Sequence, residues 1–334
     1  MQRFTSYQLS DDQIKSYVDN VYCDLFSDDD GLPSDVKRLV HDALLPHYSR
    51  ASLIAKSNQK TYRQAGLLVY TFSTLAVAAV AVGILFPGIS VWAFAVELLL
   101  LLTILVTIIR ANRKRAHKNW IEARYIAERI RATIFLTMCG VQTSQRVLPT
   151  SAGVTSKPDE SMIDAFNELA TQVPSFRPCH GQPTEQFLSF VRRAWLRPQI
   201  AFHDRVATDA EQKNVWLERI GIAVFSAAIV AAGMHLLLLR LHVVWLEHLL
   251  TFGAIVLPAL GAAIGGVRTH REYSRLAVRS RNMALSLKAL DDRLAKVTTP
   301  HELAALLTEV EELTLVELQD WLMLMSVAKL EAAA

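Results

Sequence analysis

The chain has 334 residues, a formal net charge of +3 at pH 7 and 51% hydrophobic residues, and its mean hydropathy is +0.23. Soluble domains of this size usually have a negative mean hydropathy, and the long apolar runs and scarcity of Gly and Pro exclude disordered and collagen-like chains. We therefore expect an integral membrane protein and not a soluble enzyme.

The first 60 residues are predicted to form an acidic helical segment. Ser10 and Gln13 have the spacing of a capping box, which starts a helix, and a second helix is expected after Ser34. A segment of about 60 residues is marginal for a core of its own, so we expect it to dock on the rest of the chain. Its acidic residues are Asp11, Asp12, Asp19, Asp24, Asp28, Asp29 and Asp30.

Four apolar segments follow, and each is long enough to cross a bilayer as a helix. They are residues 65–86, 89–109, 220–239 and 249–267. The short connections within each pair predict two hairpins. The expected fold class is therefore an all-α integral membrane protein with two transmembrane helical hairpins, four spans in total, and cytoplasmic helical extensions.

The distribution of Lys and Arg predicts the orientation of the hairpins. Basic residues precede the first and third spans and follow the second and fourth, whereas Arg240 is the only basic residue in the outer connections. We therefore expect a multi-pass protein with both termini and the long middle segment in the cytoplasm. The flanking basic residues are Lys56, Lys60, Arg63, Arg110, Arg113, Lys114, Arg115, Lys118, Lys213, Arg219, Arg268, Arg271, Arg275, Arg279 and Arg281.

The cytoplasmic extensions complete a predicted organisation of five parts. Thr299, Pro300 and Glu302 have the pattern that starts a helix, and its leucine-rich face suits either docking on its own bundle or pairing between chains in a homo-oligomer. The parts are an acidic segment (1–60), the first hairpin with a basic helix (61–139), a linker with a short helix (140–190), the second hairpin with a basic helix (191–297) and a C-terminal amphipathic helix (298–334).

A weak internal repeat appears at an offset of 150 residues. Four residues recur after the second span of each hairpin: Glu122, Ala127, Arg129 and Arg131 match Glu272, Ala277, Arg279 and Arg281. One interpretation is a duplicated unit. The other is that any helix leaving a membrane on the cytoplasmic side gathers Arg and Glu.

Glu97 is the one ionisable residue deep within a predicted span. A charged carboxylate facing lipid there costs about 3 kcal/mol, so Glu97 is expected to face protein or water. It is either a pore-lining or gating carboxylate, or a neutral carboxyl that stabilises the helix bundle.

The fourth span carries small residues at four-residue spacing, an arrangement that lets helices approach closely in lipid. This pattern favours packing within the chain, with a subunit interface or a hinge at the proline as the alternative. The residues are Pro258, Gly261, Ala262, Gly265 and Gly266.

Motifs for chemistry are missing from the sequence. It contains no Gly-rich phosphate loop, no metalloprotease or hydrolase motif and no Cys-x-x-Cys, and the adjacent Cys179 and His180 are too few for a metal site. We therefore expect no catalytic residue, metal or cofactor. A nucleic-acid partner is not expected either, because the basic residues after the second span are spread along a helix.

Two stretches resemble the SLATT proteins, the transmembrane domains associated with SMODS nucleotidyltransferases and SLOG sensors in bacterial conflict systems. The first resembles the post-membrane helix of that family, with Trp120, Arg124, Ala127, Glu128, Arg129 and Arg131. The second is similar to the second half of four-span members, with Trp195, Leu196, Gln199, Phe202, His203, Pro258, Ala259, Leu260, Gly261, Arg275, Leu276 and Ala277.

The resemblance covers roughly residues 60–295 and implies an inner-membrane effector that permeabilises the bilayer when a coupled sensor or a nucleotide second messenger signals infection. A membrane-anchored interaction module without pore activity, which recruits a cytoplasmic partner, is the alternative. No sensor or nucleotide-binding motif precedes the spans, so the sequence leaves the trigger open.

Overall fold

The computed structural model describes residues 9–26, 30–138, 184–238 and 244–327, with side chains up to residue 318 in the last range. These residues form helices and turns without any strand. Four helical stretches are long and apolar enough to cross a membrane, which confirms the all-helical fold with four apolar helices. They are Ser34–Leu85, Pro87–Met138, Glu185–Leu238 and Val244–Leu294.

The first part of the chain contains two short helices and the first long one. Helix α1 spans Asp11–Leu25, α2 spans Ser34–Leu39 and α3 spans Leu45–Leu85. The predicted capping box is confirmed, because the Gln13 amide donates to Ser10 Oγ at 3.2 Å and the Ser10 amide donates to Gln13 Oε1 at 3.4 Å. Helix α3 is much longer than its apolar segment, since neither glycine nor proline occurs between Pro46 and Gly66.

The other described helices follow in chain order. Helix α4 is Ser90–Arg113, after a 3₁₀ turn at Pro87–Ile89, and α5 is Ala116–Met138. After the gap come α6 (Glu185–Val191), α7 (Arg197–Leu238), α8 (Val244–Arg271), α9 (Tyr273–Leu294) and α10 (Pro300–Val327). The predicted start of the last helix is confirmed, because the Glu302 amide donates to Thr299 Oγ1 at 3.2 Å.

A π turn precedes each of the two longest helices, at Val40–Leu44 before α3 and at Arg192–Leu196 before α7. The amide that closes each turn donates to a carbonyl five residues back, from Leu45 to Val40 and from Arg197 to Arg192. Prolines at positions 46 and 198 come next in the chain. Proline has no amide hydrogen, so the α-helical bond is lost there and a wider turn accommodates the ring.

Both halves of the described chain therefore repeat one architecture: short helix, π turn, long helix, returning helix, break and further helix. The break falls at Arg115 (φ 47°) in the first half and at Glu272 (φ 49°) in the second. The π turns begin 152 residues apart, at Val40 and Arg192, and the left-handed residues are 157 apart. The 150-residue sequence offset therefore does not superimpose the two breaks.

The chain divides into two compact units. The core unit comprises Met1–Gln59, His117–Arg205 and Ser280–Ala328, and the apolar unit comprises Lys60–Ala116 and Val206–Arg279 with the last six residues, which lie outside the described ranges. Part of the predicted linker and short helix at 140–190 also lies outside these ranges. Helices α3 and α7 pass from the core unit into the apolar unit without interruption.

Helix α5 lies at the centre of the core unit, although its sequence predicts an amphipathic helix with one solvated face. All its residues from Ile121 to Met138 are buried or half-buried. Helix α10 buries its leucine face in the same unit, which agrees with docking on its own chain; the buried residues are Leu303, Leu306, Leu307, Val310, Leu315 and Leu318.

The helices of the apolar unit have narrow packed faces. In residues 206–238, the part of α7 that belongs to the apolar unit, the less exposed residues alternate at spacings of three and four, which is the repeat of coiled coils. They are Ala207, Ala210, Asn214, Leu217, Gly221, Val224, Ala228, Ala231, His235 and Leu238. Val206 and Ile220 are the only other less exposed residues of this part. In α4 the same spacing holds for Ala93, Glu97, Leu100, Ile104, Thr107 and Ala111, flanked by Thr103 and Ile108.

Candidate functional site in the apolar helices

Glu97 lies on the packed face of α4, two turns after the helix begins at Ser90. Its side chain is half-buried, whereas the following residues Leu98 and Leu99 are 59% and 64% exposed. Glu97 therefore lies at the seam of α4, by which we mean the line of less exposed residues along which α4 packs on its neighbours. It makes no hydrogen bond or ion pair with any residue in the described ranges.

Hydroxyl groups follow Glu97 along α4, but they are satisfied within the helix. Thr103 Oγ1 donates to the Leu99 carbonyl and Thr107 Oγ1 donates to the Thr103 carbonyl, both at 2.7 Å. Ser73 and Thr74 of α3 likewise donate to carbonyls one turn back. The first hairpin thus carries a row of small polar groups and one carboxylate without a partner in the described chain.

The second hairpin pairs its polar residues across the helices. Arg268 of α8 donates to Asn214 Oδ1 and to Glu218 Oε2 of α7, each at 2.7 Å. His235 Nδ1 and Thr251 Oγ1 lie 3.3 Å apart. These contacts tie α7 to α8 near both ends of the hairpin.

Helices α3 and α8 meet through two glycines that sequence analysis did not connect. A Cβ on Gly66 would overlap the His270 ring, whose Cδ2 would be 2.6 Å away, and a Cβ on Gly266 would overlap the Tyr70 ring, whose Cδ1 would be 2.8 Å away. The ring of Tyr62 also packs on His270, with centroids 4.7 Å apart. Each helix therefore offers a glycine to the aromatic ring of the other, and the matching Gly-x-x-x-Tyr and Gly-x-x-x-His spacings were the available signal.

The small residues of α8 divide between two faces. Gly266 contacts α3, and a Cβ on Gly261 would lie 3.9 Å from Val224 of α7. By contrast, a Cβ on Gly265 would meet nothing within 4 Å, and Pro258 and Ala262 are exposed. The predicted packing stripe therefore has a side facing its own chain and an open side.

The residues that carry the family resemblance are divided between the two units. Those from Trp120 to Arg131 and from Trp195 to His203 belong to the core unit, and those from Pro258 to Ala277 belong to the apolar unit. Trp120, Ala127 and Arg129 are buried, at 4–5% exposure, and Arg124 and Glu128 are half-buried. The Arg131 guanidinium donates to Glu128 Oε2 at 2.7 Å and to Tyr48 Oη at 2.6 Å. These contacts join α5 to α3, so the motif has a structural role in the packing of these helices.

The described residues contain no group of three or more His, Cys, Asp or Glu side chains that could hold a metal ion. Cys23 is an exposed free thiol. Cys139, Cys179 and His180 lie outside the described ranges.

Comparison with known proteins found no matching family model, no matching curated protein and no matching solved structure. The SLATT resemblance therefore stays a prediction from the residues quoted above.

Proposed function

We propose that this protein is a membrane effector of a bacterial antiphage or conflict system. In this proposal, the four apolar helices cross the inner membrane with both termini in the cytoplasm. A sensor protein or a nucleotide second messenger activates the protein, which then permeabilises the membrane as a homo-oligomer.

Exposed apolar surface supports membrane insertion. Only 22%, 11%, 6% and 0% of the apolar 18-residue stretches of the four helices are buried within the structure. Leaving such apolar surface in water costs about 25 cal/mol per Å². Trp92, Trp245 and Trp216 are 76%, 68% and 63% exposed, and they lie near the ends of the apolar segments, where amphipathic rings settle in a bilayer.

Glu97 is the observation that carries the permeation proposal. Burying an unpaired carboxylate in a bilayer costs about 3 kcal/mol, and this cost falls where the group meets water. Rings of acidic side chains line many cation pathways. A carboxylate without a partner at the seam of α4 is therefore suited to line a water-filled path that opens along the first hairpin.

A membrane-anchored interaction module remains the second candidate. Helix α1 favours it, because its exposed face carries Asp11, Asp12, Asp19 and Asp24, a surface that suits a basic partner. In this alternative, the core unit recruits the partner and the apolar helices only anchor the protein.

Cell depolarisation tests the permeation proposal. The protein is expressed in a bacterial host with a membrane-potential dye, alone and with its sensor system triggered. Glu97→Leu should suppress depolarisation, because an apolar constriction tends to dewet, whereas Glu97→Gln should keep the path wet and change its ion selectivity. Leu98→Ala, at an exposed position, serves as the control.

Two results separate the candidates. If Glu97→Leu changes stability in detergent but leaves depolarisation unchanged, Glu97 is only a bundle residue. If the wild-type protein never depolarises the cell, even with its sensor system triggered, the interaction module becomes the better account.

Cysteine labelling tests the proposed orientation. A reagent that cannot cross the membrane should label Gly88→Cys and Glu247→Cys in intact cells and should miss Lys157→Cys. Labelling at position 157 would contradict a cytoplasmic middle segment.

A further inference from the structure

Helix α1 is part of the core unit, but few of its side chains are buried. Of its residues, only Val18 and Leu25 are buried. Its other side-chain contacts include those of Tyr17, Tyr22 and, just after the helix, Phe26, and the Asp19 carboxylate lies 4.0 Å from His41 Nε2. An element with so few buried residues is among those that open most easily.

The first contacts of α1 are with the start of α3. Lys56 Nζ donates to Tyr17 Oη at 2.8 Å and lies 4.7 Å from the centre of that ring. The ring of Tyr22 meets the ring of His41 edge-on, with centroids 5.2 Å apart. His41 belongs to the first π turn, so α1 touches both the turn and the helix that follows it.

The next contacts are with α6 and the second π turn, which lead into α7. The ring of Phe26 stacks on Phe190 of α6, with centroids 6.1 Å apart and planes 4° from parallel. Arg193, in the second π turn, donates to the Asp30 carboxylate, which is buried and also lies 3.8 Å from Lys37 Nζ. Removing one partner of such a pair is costly, because it leaves the buried charge without compensation.

The two arginines of the second π turn bind different partners. Arg193 donates to Asp30, whereas its neighbour Arg192 points to α9, where it donates twice to Asp291 at 2.7 and 2.8 Å. Trp195 of the same turn stacks on Phe135 of α5, with centroids 4.7 Å apart. Three side chains of one short turn thus hold three different parts of the core unit.

We propose that α1 with Phe26 is a strap, anchored by Asp30, that holds the two π turns together and so restrains the first and third long helices. Both π turns lead directly into helices that run unbroken to Leu85 and Leu238. Release of the strap therefore removes one restraint from the starts of both helices at once. In this role the strap is autoinhibitory, and its effect on leakage rests on the function proposed above.

The test uses two neighbouring arginines as a matched pair. Arg193→Gln removes the ion pair to the anchor, whereas Arg192→Gln removes an ion pair of the same turn that does not involve the strap. Spin labels on Asp35→Cys of α2 and Ser189→Cys of α6, two exposed positions, report the distance between the π turns. The three native cysteines are replaced by serine in the full-length protein.

Arg193→Gln should raise amide hydrogen exchange across α1 and lengthen or broaden the spin-label distances, and Arg192→Gln should do neither. With a closed state favoured by a few kcal/mol, loss of one anchor should raise basal leakage by about tenfold. Phe26→Ala, which removes the ring stack, should reproduce these changes if Arg193→Gln fails to fold.

Unchanged exchange in α1 or unchanged label distances in both variants would overturn the strap. Longer distances without leakage under any condition would keep the strap and remove the proposed function. Leakage that rises while the distances stay the same would keep the function and remove the strap.

Discussion

The first and second hairpins share an architecture but treat their polar residues differently. In the second, Arg268 bonds to Asn214 and Glu218, and His235 lies beside Thr251. In the first, Glu97 lies on the packed face of α4 without a partner in the described ranges. Paired polar groups hold helices together in lipid, whereas an unpaired carboxylate weakens a seam. In the proposed effector, the second hairpin is therefore suited to be the fixed support and the first to be the part that opens.

Helix α8 is central to this comparison because it contacts helices of both hairpins. Gly266 receives the Tyr70 ring of α3, and the neighbouring Gly265 faces open space. We expect Gly266→Val to destabilise the protein by about 1–3 kcal/mol, because the added side chain overlaps the Tyr70 ring. Thermal unfolding in detergent measures the change.

Gly265→Val is the matched control, and its unfolding midpoint should stay close to that of the wild type. If both variants are equally unstable, the lost stability reflects valine in this helix and not the contact with α3.

Loss of the Arg268 contacts should lower the free energy of unfolding by about 1 kcal/mol. The effect is small because Arg268 and Glu218 are both partly exposed to solvent. Arg268→Met keeps the length of the side chain and removes the charge. Arg275→Met provides the comparison, because its pair with Glu272 is longer, at 3.4 Å, and 67% of the Arg275 side chain is exposed. A stability loss in Arg275→Met as large as in Arg268→Met would show that the contacts of Arg268 with Asn214 and Glu218 add no specific stability to the second hairpin.

Acid should weaken one contact of the second π turn. The hydrogen bond from Arg192 holds the pKa of Asp291 below its ordinary value of 3.8. A carboxyl with a lowered pKa in the folded state contributes stability above its unfolded pKa and loses it as the pH falls through the folded pKa.

This tie at the second turn should therefore weaken below about pH 4, at a cost of up to about 1 kcal/mol. The apolar packing of the first turn through the fully buried Val40 and Leu44 should not respond in this way, because these side chains do not titrate. Asp291→Asn should flatten this part of the stability profile. A profile that is unchanged in this variant would show that the pair adds nothing to stability.

Sequence analysis predicted the elements that depend on local patterns. The capping box at Ser10, the helix start at Thr299 and the four apolar helices follow from side-chain spacing and hydropathy, and the structure confirms them. The π turns were missed although Pro46 and Pro198 mark them, because a proline near a helix start is ordinarily compatible with an α-helix. The left-handed conformations of Arg115 and Glu272 left no sequence signal, since glycine is the usual residue there.

The candidate site was predictable only in part. Glu97 stands out in the sequence because it is charged within an apolar run, but its place on the packed face of α4 depends on tertiary contacts. The contact of Gly66 with His270 joins residues that are far apart in the sequence. The burial of α5 was also unpredicted, because its arginines find partners such as Glu128 and Tyr48 inside the core unit.

Matched disulfides, one in each hairpin, test most directly whether the first hairpin is the part that opens. A Cβ on Gly83 would lie 3.1 Å from the Cβ of Ala93, and a Cβ on Gly253 would lie 3.4 Å from that of Ala231, which are separations that a small adjustment brings to disulfide geometry. Gly83→Cys with Ala93→Cys staples the first hairpin, and Ala231→Cys with Gly253→Cys staples the second, each with the native cysteines replaced by serine. We predict that the oxidised staple in the first hairpin abolishes triggered depolarisation, that a reductant restores it, and that the staple in the second hairpin has no effect. Depolarisation that persists with the first hairpin stapled, or that is lost only when the second is stapled, would contradict this account.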